Sequence, residues 1–150
     1  MIREATAADA PKIARLGAEM HAESVFSKRV YDMEKCTDRA MDYILSPGRF
    51  LWVAESNRKA TGFLAGYMAQ YHFGPEWFAC LLDFYMRPDA RGSRDSIRLL
   101  KQFEEWAAER EAVEVNLGIS TGVRMDEFDR LATKLGYTRV GGIYKRDCNV

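Results

Sequence analysis

The sequence predicts one mixed α/β domain, and two features carry that prediction. Helix-like and strand-like segments alternate along the chain in the order β-α-α-β-β-β-α-β-α-β, with a final strand. The segment 77–86 is apolar on both alternating faces except for Asp83, as is typical of a central strand covered on both sides. With 150 residues the chain can bury a substantial core, and it contains no repeat, linker or low-complexity segment. We therefore predict a single domain over residues 1–150.

The first third of the chain predicts a short strand followed by two helices. Residues 2–5 form the strand, and Thr6 or Asp9 can cap the first helix. Asp32 can cap the second helix, which the Ser46-Pro47-Gly48 segment ends. The positions that would face the core are Ile13, Leu16 and Met20 on the first helix and Met33, Cys36, Ala40, Met41 and Ile44 on the second.

The middle of the chain predicts three strands. Residues 50–55 and 61–71 are rich in β-formers and are separated by a turn-like polar segment, so they favour an antiparallel hairpin. Gly62 and Gly66 mark a close backbone approach or a bulge within it. The apolar strand 77–86 follows.

The last third predicts a long amphipathic helix, a strand, a shorter helix and a final pair of strands. The long helix has apolar residues at three- and four-residue spacing, and Ser93 suits its N-cap. Residues 113–119 form the next strand, and a helix over 125–135 ends at Gly136. The predicted C-terminal strands are Tyr137–Val140 and Ile143–Lys145.

Composition limits the classes of partner and the compartment. Lysine plus arginine and aspartate plus glutamate both number 22, so no global field attracts nucleic acid or an acidic membrane surface. Three widely spaced cysteines favour neither a disulfide framework nor a metal site. The start of the sequence has no apolar signal core, and no segment approaches the ~20 apolar residues of a membrane span. We therefore expect a cytoplasmic protein without a metal and without nucleic-acid or membrane partners.

The most informative segment is the turn from the apolar strand into the long helix. The strand stops at Pro88, and the chain turns through Arg91 and Gly92 into a helix beginning near Ser93. The first amides of a helix have no internal partner and carry the positive end of the helix dipole, so a phosphate placed there satisfies both. The alternative interpretation is an ordinary strand-to-helix turn with a solvated arginine.

This turn and the order of elements resemble the GNAT acetyltransferases. Their acetyl-CoA signature is Gln or Arg, two residues, Gly, one residue, then Gly or Ala, and here it runs from Arg91 to Ser96 after Phe84-Tyr85-Met86-Arg87-Pro88. The chain departs from the signature at Arg94, where the family has its first glycine, and at Ser96. The Arg-Gly-Ser-Arg start is similar to that of small GNAT proteins of phages and prophages.

The resemblance implies the fold, the cosubstrate and the reaction. The implied fold is a mixed, mostly antiparallel sheet of six to seven strands with helices on both faces. The implied reaction is direct acetyl transfer from acetyl-CoA to a primary amine of a small molecule or peptide, and homodimers are a family expectation. The implied cofactor-binding residues are Phe84, Tyr85 and Met86 for the pantetheine arm, Arg91, Gly92, Ser93, Arg94, Asp95 and Ser96 for the diphosphate, and Thr121.

The catalytic groups are harder to identify, because the tyrosine that the family often uses as an acid falls at Ala132. Asp83 is a candidate base acting through water, since burial raises the pKa of a carboxyl group; the alternative is an aspartate bonded to backbone or to an arginine. Tyr85, Tyr144 and Ser120 are candidate proton donors, although Ser120 and Thr121 also suit a simple turn.

The resemblance implies that carboxylates on the first two helices and their loop bind the acceptor. The ordinary interpretation is that they are solvated surface residues. They are Glu19, Glu23 and Glu34.

Two other functions remain open at this point. The two missing signature glycines, the missing tyrosine and the missing asparagine, at whose place Met125 stands, are compatible with a CoA-binding or protein-interaction module that does not catalyse. A domain that binds another nucleotide through the same turn would instead prefer ATP or NAD.

Overall fold

The computed structural model describes residues 1–148, within which five strands form one mixed sheet in the order β1-β2-β3-β4-β5. Neighbouring strands are antiparallel, except that β4 and β5 are parallel. The strands are β1 (Ile2–Glu4), β2 (Arg49–Ser56), β3 (Lys59–Gln70), β4 (Trp77–Met86) and β5 (Val115–Asn116). The helices are α1 (Ala10–Glu23), α2 (Met33–Leu45), α3 (Arg94–Glu109) and α4 (Met125–Lys134).

Helices cover both faces of the sheet, which confirms the predicted class of fold. On one face, Ile13 and Leu16 of α1 and Ala40 of α2 pack against β2 and β3. On the other face, Leu99 and Phe103 of α3 pack against strand residues of the same sheet. The predicted cap of α2 is also present, since the Asp32 side chain accepts a hydrogen bond from the Lys35 amide at 3.0 Å.

The predicted number of strands is wrong. The structure has five strands in its described part instead of six to seven, and neither 137–140 nor 143–145 is a strand. Val140 and Tyr144 are 95% and 98% exposed, so these β-formers have neither a pairing edge nor a core to cover. The strand predicted over 113–119 is also reduced to the two residues of β5.

A β-bulge in β4 changes which side chains face which helices. Asp83 pairs with Ala65 and Leu81 pairs with Gly66, so Leu82 is an extra residue. Before the bulge, the Leu81 side chain packs on the α3 side. Leu82 itself packs on the α1 and α2 side. The next residue, Asp83, lines a cavity on that same side. If the strand alternated strictly from Leu81, with Leu82 as a regular paired residue, Asp83 would lie against α3.

Gly66 lies at this bulge, as its position in the predicted strand suggested. A Cβ atom on Gly66 would lie 2.6 Å from Cζ of Phe103 and 3.0 Å from the Cys80 carbonyl oxygen. Phe103 is completely buried, so its ring has little room to move away. The glycine therefore lets α3 approach the sheet directly beneath the bulge.

We expect Gly66→Ala to destabilise the protein by about 1–3 kcal/mol, because the added methyl overpacks the contact with Phe103. Urea unfolding measures the change. Gly74→Ala is the matched control, since a Cβ there meets nothing within 4 Å, and we expect it to change stability by less than about 0.5 kcal/mol. Equal effects of the two substitutions would contradict the packing argument.

Candidate functional site

The sheet opens between β4 and β5. The two strands pair only at Ala79 with Val115 and Cys80 with Asn116, whereas β4 continues to Met86. The Arg87 amide donates to Thr61 of β3, so by alternation the backbone groups of Phe84 and Met86 point away from β3. The second half of β4 thus presents an edge without a strand partner in the described part of the chain.

Two cavities lie along this open edge. One, the turn cavity, has a volume of about 360 Å³ and is lined by Met86, Gly92, Ser93, Ser96 and Phe128, among others. The other, the Asp83 cavity, has a volume of about 370 Å³ and lies against α1 and α2. Both are lined by Met20, Phe84, Ile119 and Thr121, so the two cavities adjoin at these residues.

The turn cavity contains hydrogen-bond donors without protein partners. Gly92 has a φ of +78°, which favours glycine and lets the chain turn into α3. Within residues 1–148, the amides of Gly92, Arg94 and Asp95 have no protein acceptor. The Ser93 hydroxyl is buried there and also has no hydrogen-bond partner among those residues. Unpaired donors at the start of a helix of 16 residues are suited to bind an anion.

The Arg91 side chain is held by the protein beside this turn. Its Nε donates to the Met86 carbonyl at 2.9 Å, and its Nη2 lies 2.8 Å from both carboxylate oxygens of Glu23. The Tyr85 hydroxyl donates to the same carboxylate at 2.6 Å. Glu23 at the end of α1 thereby ties the turn to the open end of β4. Glu19 of α1 makes a parallel contact with Arg87 at 2.8 Å.

This network fixes the protonation of its members. Desolvation opposes ionisation of Glu23, but hydrogen bonds from Tyr85 and Arg91 hold the pKa of Glu23 below its ordinary value. Burial, together with the bond to Glu23, raises the pKa of Tyr85. Tyr85 therefore stays protonated at neutral pH, and its hydroxyl donates a hydrogen bond to Glu23.

Asp95 and Arg94, the other charged residues of the turn, point to different surroundings. Asp95 lies 2.7 Å from the terminal ammonium of Met1 and 3.3 Å from Arg98. The ammonium, with help from Arg98, lowers the pKa of Asp95. Its negative charge is therefore compensated close to the anion site, while Arg94 is exposed.

Asp83 has no such compensation. It makes no hydrogen bond or ion pair within the described residues, and burial raises the pKa of its carboxyl group, against a smaller opposing effect of Arg39. The alternative of an aspartate bonded to backbone or arginine is therefore not what the structure shows. His21 also lines this cavity, and its Nε2 is buried without a partner in the same part of the chain.

The remaining predicted residues are only partly brought together. Ser120 is exposed and lines the Asp83 cavity, and Thr121 lines both cavities. The Thr121 hydroxyl accepts from the Val123 amide at 3.3 Å, so it makes the turn that the sequence also allowed. Tyr144 is 98% exposed and lines neither cavity, because the strand predicted around it does not form.

Sequence reasoning missed the residues that link the elements. It considered Glu23 only as a surface or entrance carboxylate, whereas Glu23 holds both Tyr85 and Arg91. It placed Met20 on the core face of the first helix and Ile119 at the end of a strand, and it assigned neither to the site, although both lie where the cavities adjoin. Their partners are distant in sequence, and no local spacing marks such contacts.

Residues 1–148 contain no group of three or more His, Cys, Asp or Glu side chains arranged to hold a metal ion. Their helices include none with the length and apolar character needed to cross a membrane.

Comparison with known proteins gives one family and several similar structures. Residues 17–137 match the model of the acetyltransferase (GNAT) family, while no curated protein matches the chain. A solved structure of a transcriptional regulator from Bacillus halodurans C-125 is similar at 21% identity, covering 98% of each chain, with a TM-score of 0.78. An aminoglycoside 6'-N-acetyltransferase from Acinetobacter haemolyticus is similar at 17% identity, covering 100% of this chain and 99% of its own, with a TM-score of 0.73.

A third similar structure is AAC(6')-Iy in complex with a bisubstrate analogue, CoA-S-monomethyl-acetylneamine. It is 12% identical, and the match covers 99% of this chain and 98% of that one with a TM-score of 0.76. At these identities the three structures establish the fold.

Asp83→Asn should stabilise the protein at neutral pH and have little effect in acid. The unfolded chain releases the Asp83 proton near its ordinary pKa of 3.8, whereas burial raises the pKa in the folded state. The folded state therefore binds more protons in the intervening range, and wild-type stability falls as pH rises through the folded pKa. The variant has no such loss. Urea unfolding between about pH 4 and about pH 7 measures the difference.

Asp95→Asn is the control of opposite sign. The folded pKa of Asp95 is lowered, so its charge adds stability above its ordinary pKa and loses that contribution as pH falls. Its substitution should destabilise the protein at neutral pH. If the difference in the free energy of unfolding between wild type and Asp83→Asn stayed constant with pH, this would contradict the assignment of Asp83 as a buried, unpaired carboxyl group.

Proposed function

The chain belongs to the acetyltransferase (GNAT) family, and we propose that it transfers the acetyl group of acetyl-CoA directly to a primary amine. Family membership makes it an N-acetyltransferase; the cosubstrate, the acceptor and the route of transfer are our proposal. One observation carries it: unpaired amide and hydroxyl donors at the start of α3 adjoin, along an open strand edge, a cavity that holds an unpartnered carboxyl group.

The donors of the turn fit the diphosphate of acetyl-CoA. The amides of Gly92, Arg94 and Asp95 and the Ser93 hydroxyl are available in the described structure, and phosphate oxygens are strong acceptors. The orphaned Ser93 hydroxyl is the sharpest sign of this fit, because a buried polar atom without a partner costs stability in the absence of a ligand. Arg91 adds a positive charge to the wall of the same cavity, although Glu23 already compensates it.

The open edge of β4 fits the pantetheine arm. The backbone groups of Phe84 and Met86 face away from β3 at the place where β5 has ended. An extended arm with amide groups can bond to such an edge as an added strand does. The Arg91 bond to the Met86 carbonyl covers part of this edge, so Phe84 is the better placed of the two.

Asp83 is suited to accept the proton that the amine must lose. A lysine-like amine has a pKa of about 10.4 and is almost wholly protonated at neutral pH. Asp83 is the sole carboxyl group lining its cavity within the described residues, and its raised pKa makes it a better base than an exposed aspartate. The reaction forms a C–N bond and breaks the C–S bond of the thioester, while the amine proton passes through water to Asp83.

The departing thiolate also needs a proton. Tyr85 is a poor donor because Glu23 holds its hydroxyl and its pKa is raised. Tyr144 lines neither cavity. Ser120 lines the Asp83 cavity and its hydroxyl has no partner in the described structure, so we propose that it relays a proton from water: it accepts one from water as it donates its own to the thiolate, and the proton taken up by Asp83 replaces the one that the water has lost.

Binding of the cosubstrate is tested by comparing thermal shifts with acetyl-CoA, CoA, ATP and NAD. We expect acetyl-CoA and CoA to stabilise the protein, by about 2.7 kcal/mol when the ligand is at about 100 times its Kd. Ser93→Ala should weaken CoA binding about tenfold or more and leave the free protein as stable, since its hydroxyl has no partner to lose.

Ser27→Ala is the matched control, because Ser27 is exposed and lines neither cavity. Stabilisation by ATP or NAD without stabilisation by CoA would contradict the proposal and favour a different nucleotide ligand. Binding of CoA without turnover of any amine would indicate a CoA-binding module that does not catalyse.

Asp83→Asn should lower kcat by about 100-fold or more and leave the Kd of acetyl-CoA unchanged, because it removes the base without altering the turn. Release of CoA in the presence of an accepted amine measures the rate. Asp42→Asn, an exposed change on α2 outside both cavities, should retain full activity. Wild-type rates in Asp83→Asn would remove Asp83 from the mechanism.

A further inference from the structure

The Asp83 cavity is lined by charges of both signs that lie on different elements of the fold. Asp83 lies on β4 in its wall, whereas Lys35 and Arg39 of α2 line it from exposed positions. The two cations are four residues apart, so they lie on one face of the helix, one turn from each other. Neither is part of an ion pair in the described structure.

The rest of the wall is largely apolar and aromatic. Phe26, Tyr31, Tyr43, Phe63 and Phe84 all contribute to it. The Tyr31 hydroxyl is bonded to the Ala14 carbonyl at 2.6 Å, and the Tyr43 hydroxyl accepts from Arg49 at 3.3 Å, so neither is a free polar group. A volume of about 370 Å³ is in the range of sites for small molecules.

We propose that the acceptor is a small amphoteric amine, with its amino group toward Asp83 and a carboxylate or other anionic group toward Lys35 and Arg39. The inference rests on the proposed acetyl transfer and names the class of its acceptor. An unpaired arginine and lysine at the exposed side of an apolar cavity recognise an anionic group by charge-assisted hydrogen bonds. The aromatic residues of the same wall accommodate an apolar body.

Polycationic amines fit this cavity poorly. Among residues 1–148, the charged groups lining it are two cations and one carboxyl group, so a second ammonium group would meet Lys35 or Arg39 rather than an acid. The nearby carboxylates of α1 are not available to bind it. Glu19 is paired with Arg87, and Glu23 with Arg91 and Tyr85.

Matched pairs of amines test the inference, each pair differing only by a carboxylate. Lysine with 1,5-diaminopentane, phenylalanine with 2-phenylethylamine, and tyrosine with tyramine are suitable pairs. We expect the carboxylate-bearing member to have a kcat/KM about tenfold or more higher, mostly through KM. The ratio within a pair is the readout, because a merely structural effect of a variant would lower both members alike.

Variants locate the origin of that ratio. Arg39→Gln and Lys35→Gln should each reduce the preference, and the double variant should abolish it, whereas Arg39→Lys should retain part of it. Arg15→Gln is the matched control, since Arg15 is an exposed cation of α1 that lines neither cavity. It removes the same charge and should leave the ratio unchanged.

The outcomes separate this inference from the proposed function. Equal or better turnover of the amines without a carboxylate, turnover of peptide amines alone, or an unchanged ratio in the double variant would overturn the inference and leave acetyl transfer in place. Failure to release CoA with every amine, including polyamines and peptides, would overturn acetyl transfer and the inference together.

Discussion

The short pairing between β4 and β5 is the constraint on which the rest of the site depends. Two residue pairs join these strands, and then β5 ends while β4 continues for six residues. A buried edge without a partner is unfavourable unless a ligand or side chain satisfies it. Here Arg91 satisfies the Met86 carbonyl, and the two cavities lie along what remains. The opening thus creates a place for an extended ligand and joins the two cavities.

The bulge at Leu82 determines on which side of the sheet the Asp83 carboxyl group lies. A regular strand would alternate strictly, and Asp83 would then face the α3 side, where Leu99, Leu100 and Phe103 are completely or almost completely buried. The extra residue turns the carboxyl group toward α1 and α2. Gly66 makes the same distortion compatible with close packing of α3, because no side chain separates it from Phe103. The position of the Asp83 carboxyl group and the packing of α3 on the sheet therefore both depend on this one bulge.

The sequence predicted what depends on neighbouring residues and missed what depends on distant ones. The bounds of β4, the Asp32 cap and the close approach at Gly66 follow from local pattern and were confirmed. The C-terminal strands were wrong because β-propensity does not reveal whether a pairing edge exists. The bond between Glu23 and Arg91 joins residues 68 positions apart, and no spacing pattern along the chain predicts it. The turn itself was visible as a sequence motif, but only the structure shows that its amides have no acceptor within residues 1–148.

Asp83 and Tyr85, two residues apart on β4, show how one direction of pKa change separates two roles. Burial is the largest cause in both, and it raises both pKa values. A raised pKa makes a carboxyl group a better proton acceptor, whereas it makes a phenol a worse donor. Glu23 strengthens the second effect by holding the Tyr85 hydroxyl, while Asp83 has no partner within the described residues. The same strand therefore presents an unpartnered carboxyl group, the proposed base, toward one cavity and a hydrogen-bonded phenol beside the other.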